Sequence, residues 1–420
     1  MKHLRTLALA GACAVTASVA VAQEGGVTVT RLTEKLYLLS TDQANYSTNT
    51  LAFVGADGVL IVDTQTRENA PALKAAVDAL RGGPVRYIIN THRHIEHIGG
   101  NAIFGADPVV IAHALLPAKL RSRSFLFEEF PPATFPDITV ADSLTLYFNG
   151  ERIRIVALPG SHDDNEIIVH FVDQGVVHLS SLTNGFNFPS VDADGDALRF
   201  PELVDRAMAL LPRDIRTISG HSPRGEHRTG TWNDLQAYRD MMARCIEIVR
   251  NGLAQGRDVA ALQRDSVLYQ YASYARSYVS ENDWIETLAD RLQHPRDTRP
   301  TVFAPLYETW RSQGAAAAAA RFSEIRRDHA AEYRINDLDL LVIGIKLVSN
   351  DHPQDAVAFL EASLREYPAG PLNYRAHYEL ALAHRRLGNA AAARRACQRA
   401  LELNPSYAPA TALLAELNRG

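Results

Sequence analysis

The run Thr91-His92-Arg93-His94-Ile95-Glu96-His97-Ile98-Gly99-Gly100-Asn101 places three histidines and a carboxylate within six residues. In extended chain, residues two apart point the same way, so His92 and His94 can converge on one cation while a turn carries His97 to a second position. Neutral imidazole is the commonest zinc ligand near neutral pH, and an adjoining carboxylate can bind a second ion or orient a water. A solvated loop accounts for one histidine; it does not account for three with a glutamate and a Gly-Gly exit. The β-branched and aromatic run Val85–Asn90 precedes the cluster and reads as a buried strand, so the histidines stand where a strand ends.

These residues resemble the His-x-His-x-Asp-His signature of the metallo-β-lactamase superfamily, with Glu96 at the aspartate position. Further matches follow in family order: Asn49-Thr50 and Gly58–Thr64 before the signature, then Leu158-Pro159-Gly160-Ser161-His162, Val177–Ser181 and Ser219-Gly220-His221-Ser222-Pro223. The resemblance covers roughly residues 27 to 290. It implies an α/β fold and assigns His92, His94 and His162 to a first zinc, and Glu96, His97 and His221 to a second. It also implies that Asp63 supports these ligands from behind. One departure is sharp: Ser181 after Ser180 stands where most hydrolases of the superfamily carry Gly and a bridging Asp.

The elements that must position these groups are legible in outline. Strand-like runs at Val27–Thr30, Leu36–Ser40, Leu51–Val54 and Val59–Asp63 predict a hairpin-rich sheet, and Glu68–Leu80 carries helical spacing stopped by Gly82-Gly83-Pro84. His113 reads as a structural histidine. The aromatic, Pro-rich stretch Phe125–Thr139 predicts neither helix nor regular strand, but either an apolar substrate wall or a packed corner. Strands resume at Ser143–Phe148, Arg152–Ala157, Ile167–Phe171 and Val176–Leu179, and His162 follows the second on a glycine loop. Asp163, Asp164 and Glu166 read as solvated. The acidic run Asp192-Ala193-Asp194-Gly195-Asp196 fails as an EF-hand, because its glycine comes early and no Glu closes it, and reads as a solvated turn. A helix at Glu202–Leu211, a strand at Arg216–Ser219 and a helix at Thr231–Leu253 complete the pattern. This alternation fits an αββα sandwich with metals at one rim.

At 420 residues the chain exceeds one ordinary core. Its net charge of −5, without a basic stripe, argues against nucleic acid as a partner. Met1–Ala22 reads as a signal peptide ending at Ala20-Val21-Ala22, which implies a periplasmic or secreted protein, and no later stretch is long enough to span a membrane. Cys245 and Cys397 give no disulfide framework. A catalytic domain is expected over 23–292, and the charged, Pro-containing 293–300 reads as a linker. Beyond it, 301–420 is Ala-rich and helical. Gln354–Pro368 and Ala391–Pro405 look like copies and resemble tetratricopeptide repeats, a region that either caps the enzyme or docks a protein partner.

The expected function is zinc-dependent hydrolysis of a small carbonyl substrate, with one tight and one weaker zinc. Glu96 and Ser181 are the candidate catalytic residues. One subclass of metallo-β-lactamases has Ser at the position of Ser181, so the resemblance leans toward lactam ring opening. Lactone or thioester hydrolysis, and a weakly active scaffold working through its repeats, are the alternatives.

Overall fold

The structure is a computed structural model that describes residues 20–24, 26–105, 107–124, 130–227 and 229–419. Most of the expected signal peptide lies outside these residues. Ala20–Glu24, at the expected cleavage site, forms a first strand, β1. It is followed in the same sheet and in chain order by β2 (Val27–Arg31), β3 (Leu36–Asp42), β4 (Tyr46–Gly55), β5 (Gly58–Val62), β6 (Val85–Ile89), β7 (Val109–His113) and β8 (Ile138–Val140). Neighbours are antiparallel up to β5 and parallel from β5 to β8. A parallel pair needs a crossover, supplied between β5 and β6 by α1 (Ala70–Ala79), which begins with a proline in its first turn, where a missing N–H costs nothing. The single-turn α2 (Ile95–Ile98) lies in the histidine cluster directly after β6, and α3 (Leu116–Ser124) follows β7.

A second sheet contains β9 (Ser143–Phe148), β10 (Glu151–Ala157), β11 (Ile167–Phe171), β12 (Val176–His178) and β13 (Arg216–Ile218). The chain then changes sheet. β14 (His221–Pro223) pairs with β4 of the first sheet, and β15 (Gly230–Thr231) returns to pair with β13. α4 (Phe200–Leu210), α5 (Trp232–Ala254), α6 (Val259–Arg264) and α7 (Glu281–Gln293) cover the outside of this half. Thr231 and Ser280 cap α5 and α7 with reciprocal capping boxes.

Three apolar layers hold this together. Leu38, Leu51, Phe53, Leu60 and Ile89 of the first sheet meet Ile153, Ile155, Val169 and Phe171 of the second. Leu73, Ala76 and Val77 of α1 pack on Leu39, Ala52 and Ile61 on the first sheet's outer face. Val156, Ile168 and Val177 face Leu203, Tyr238, Trp284 and Leu288 on the other side. The αββα sandwich is therefore the observed architecture, with the period-two alternation of each strand assigning its two faces.

The Pro-rich stretch departs from expectation at its end, where Ile138 and Thr139 join β8 and pair with Ile111 and Ala112. Pro132–Thr134 is a short 3-10 turn. Phe130 and Phe135 pack with Ile98, Ala112, Leu116 and Leu120, forming a corner behind the histidine cluster. Phe125 and Phe127 lie outside the described residues.

No helix covers 294–302. After it come α8 (Phe303–Gln313), α9 (Ala315–Asp328), α10 (Asp339–Ser349), α11 (Pro353–Glu366), α12 (Asn373–Arg386), α13 (Ala390–Leu403) and α14 (Ala408–Leu417). The two sequence copies are α11 and α13. This region has its own core, from Val302 and Phe322 to Phe359 and Leu380, separate from the layers of the sandwich. Cys245 and Cys397 are both buried and unbridged. Among the described residues, no helix is long and apolar enough to cross a membrane.

Candidate metal centre

The end of β6 delivers the first cluster. His92 is 1% exposed, and its Nδ1 lies 3.2 Å from Thr91 Oγ1 and 3.3 Å from Ser180 Oγ, which leaves Nε2 buried without a protein partner. His162, from the loop between β10 and β11, donates Nδ1–H to the Ser190 carbonyl at 2.8 Å and directs Nε2 to within 3.3 Å of His94 Nδ1. His92, His94 and His162 thus bring three ring nitrogens together. Burial and the neighbouring histidines push the His92 pKa well below its ordinary value, and burial also lowers that of His162, so both are neutral ligands at neutral pH.

The second cluster is Glu96, His97 and His221. His97 Nε2 lies 3.1 Å from His221 Nε2. Asp63 holds the far side of His97, accepting from Nδ1–H at 2.7 Å and from the Thr91 backbone N–H and hydroxyl at 2.8 Å each. Burial is the largest single influence on His97 and works against its protonation, but the charge and hydrogen bond of Asp63 together with the charges of Glu96 and Glu166 outweigh it and raise the pKa. Asp63 itself adopts φ 66°, a left-handed conformation unfavourable for a non-glycine residue, at the point where β5 turns into the site. His221 stands at the sheet-switching step. Gly220 permits it, since a Cβ there would come within 3.0 Å of the Ser180 carbonyl and 3.1 Å of the His97 ring.

Glu96 reaches further than a second-pocket ligand must. Its Oε1 is 3.6 Å from His221 Nε2 and 3.7 Å from His94 Nδ1, so one oxygen stands between the two clusters. The extra methylene over aspartate places it there. Ligands of a tetrahedral zinc bound at about 2.0–2.1 Å lie about 3.3 Å apart. The 3.3 Å separation of His94 and His162 and the 3.1 Å separation of His97 and His221 fit that spacing. Together with the orphaned His92 Nε2, this donor set suits a divalent ion of the zinc type. Ser181 is 2% exposed and its Oγ has no hydrogen-bond partner.

Two sequence expectations need correction. Asp163 and Glu166 are buried, not solvated. The Asp163 carboxylate takes Arg93 Nε at 2.8 Å. Glu166 accepts from Ser180 Oγ at 3.2 Å and Ser161 Oγ at 3.3 Å, completing a line from His92 through Ser180, and burial pushes its pKa up to about 7. Asp164 is largely covered, ion-paired to Lys119 at 2.7 Å. Nor is the acidic run a free turn. Asp192 accepts from His94 Nε2 at 2.7 Å and pairs with Arg93, Asp194 pairs with Lys119 at 2.7 Å, and Asp196 caps the 3-10 turn at Ala197–Arg199. Gly195 lets the loop press against His162, because a Cβ there would meet the His162 carbonyl at 2.3 Å.

Sequence reasoning also missed the aromatic side of the centre. Tyr46 of β4 stands edge-on to His221 at 5.0 Å, with Tyr278 at 6.4 Å from the same ring. His113 accepts from the Leu115 N–H at 3.1 Å and belongs to the corner of the sheet.

With this geometry in place, the comparisons with known proteins define the class. Residues 45–221 match the metallo-beta-lactamase superfamily, and residues 341–408 match the tetratricopeptide repeat. The chain carries a metallo-β-lactamase superfamily domain followed by a tetratricopeptide-repeat region. Among solved structures it is similar to a metallo-beta-lactamase from Pontibacter korlensis, at 19% identity over 51% of this chain and 98% of that one, with a TM-score of 0.44. It is also similar to a metallo beta lactamase from Erythrobacter litoralis, at 21% identity over 53% and 99%, with a TM-score of 0.41. A double mutant of the sec-alkyl sulfatase PisA1 aligns at 16% identity over 89% of this chain and 65% of that one, with a TM-score of 0.50. This last likeness is one of fold, and it extends past the sandwich into the helices.

Proposed function

We propose that this protein is an exported zinc hydrolase that opens strained amide rings of the β-lactam type. The observation that carries the reading is the pair of clusters joined by the Glu96 carboxylate, with the uncharged Ser181 nearby in sequence to His178 and Ser180 rather than a second bridging acid.

A divalent ion bound at such a centre polarises a carbonyl and activates water. The chain's own residues do the rest. His92, His94 and His162 form the tighter pocket, because burial keeps His92 and His162 neutral and His94 is oriented by Asp192. Glu96, His97 and His221 form the weaker one. Glu96 orients the attacking water and accepts its proton. Asp63 fixes the His97 ring, and the Ser180–Glu166 pair fixes His92. Ser181 contributes a hydroxyl but no negative charge, so an ion held by Glu96, His97 and His221 would have one carboxylate fewer to neutralise it and would supply more positive charge for a departing amide nitrogen. Tyr46 and Tyr278 form an apolar flank on the His221 side.

The test is a substrate panel on metal-loaded protein: a β-lactam, a lactone, a glutathione thioester and a secondary alkyl sulfate, the last after the activity named for the structural relative. Lactam turnover exceeding the others supports the proposal. Preference for the thioester or the sulfate ester rejects the lactam assignment and keeps the hydrolase. Inertness toward the whole panel, with a protein bound through 301–420, favours the scaffold.

A further inference from the structure

We propose that the cavity between the sandwich and the helical region binds an amphiphilic organic anion, its acidic head on Arg296 and its hydrocarbon between α3 and α8. The cavity has a volume of about 540 Å³ and is lined by Leu115 and Ala118 on one side and Phe303 and Ala304 on the other. That volume lies in the range of small-molecule sites, about 300–1,000 Å³. None of the clustered histidines lines it, so the site is separate from the metal centre and does not depend on the activity proposed above.

The head group follows from the charges. Lys119 is held by Asp164 and Asp194, at 2.7 Å each, and Asp194 also takes Arg334 of the helical region at 3.1 Å. Arg93 is held by Asp163 and Asp192, and Arg299 by Asp297 at 2.6 Å. Arg296 is left over. Its side chain is only 13% exposed, its nearest carboxylate is Asp164 at 3.7 Å, already closer to Lys119, and its Nε is buried with no hydrogen-bond partner. A largely buried guanidinium with spare donors calls for an acceptor, and an anionic one gives the strongest bonds. A cationic ligand would face the Arg296 guanidinium without offering it an acceptor, and a plain hydrocarbon would leave the buried Nε donor unmet. The apolar walls supply the complementary surface for a short alkyl or aryl body.

The probe is octane-1-sulfonate, chosen because sulfonate is a weak ligand for zinc, titrated calorimetrically into metal-loaded full-length protein. One saturable site per chain is expected, with no binding of octylamine. Arg296→Gln should weaken the sulfonate about tenfold or more. Ala304→Trp, which fills the cavity from a residue that makes no polar contact with the ligand, should also weaken it, and both variants should keep parental turnover. Absence of sulfonate binding overturns the proposal, as does unchanged affinity in both variants or equal binding of octylamine. Loss of binding in His94→Ala with none in Arg296→Gln would move the anion to the metal centre and overturn it as well.

Discussion

Asp192 does for His94 what Asp63 does for His97: each accepts from the ring nitrogen facing away from the centre, at 2.7 Å. Such partners fix the tautomer and raise ligand basicity, and losing one costs about 10–100-fold in metal affinity. Asp192→Ala should therefore weaken the tighter ion by that factor, measured by competition with a chromophoric chelator, and leave the weaker one unaffected. Glu96→Gln keeps the length of the side chain but removes the proton acceptor, so kcat should fall by about 10²–10⁴ while the first ion stays bound. Glu166 gives a pH prediction for metal-free protein. Its folded pKa, pushed up to about 7, exceeds the ordinary 4.5, so the folded chain keeps a proton that the unfolded chain releases. Its contribution is full below about 4.5 and is lost as pH rises through about 7. The buried neutral histidines act in the opposite direction, so the measurement is the stability difference between Glu166→Gln and the parent. That difference should shift in favour of the variant by up to about 3 kcal/mol between pH 4.5 and 7.5.

At the scale of elements, legibility followed sequence distance. β9 could be read to the residue from its alternation and β11 from a short apolar run bounded by turns, both of them local properties. The His92–His97 cluster was visible for the same reason. His162 and His221 carried no local signal and were reached through family resemblance alone. Asp192 was misread, because its partner His94 lies 98 positions away and nothing near Asp192 distinguishes a bonded carboxylate from a solvated one. The departure of β14 from its sheet was equally hidden, since the sequence shows only two short strands in succession. Separate cores on either side of 294–302 lead to a further expectation. A fragment covering 23–300 should fold and bind metal. It should melt a few degrees lower than the full chain, because it loses the Arg334–Asp194 pair and the packing of α8, and circular dichroism will show this. An insoluble or metal-free fragment would place the boundary elsewhere.

For the whole molecule, export can be read from intact mass: the mature chain should begin near Gln23. Cleavage there removes Ala20–Ala22 from β1, leaving Gln23 and Glu24 as its remnant beside β2, and the sheet then starts in effect at Val27. The sheet-switching step at His221 reaches further still. His92, His94, Glu96 and His97 belong to one sheet's end, His162 to a loop of the other, and His221 to the strand that passes between them. His94 and His162 are 68 positions apart, and His97 and His221 are 124. Ions held at these places act as staples that close long loops, and the entropy denied to the unfolded chain grows with loop length, though slowly. Chelation should therefore do more than stop catalysis. Amide hydrogens of β4 and β14 should exchange faster together, as one cooperative unit, while those of α10 to α13 keep their protection. Seen this way, the centre is a clasp between the two halves of the sandwich, and occupancy would set how long the protein persists before it opens.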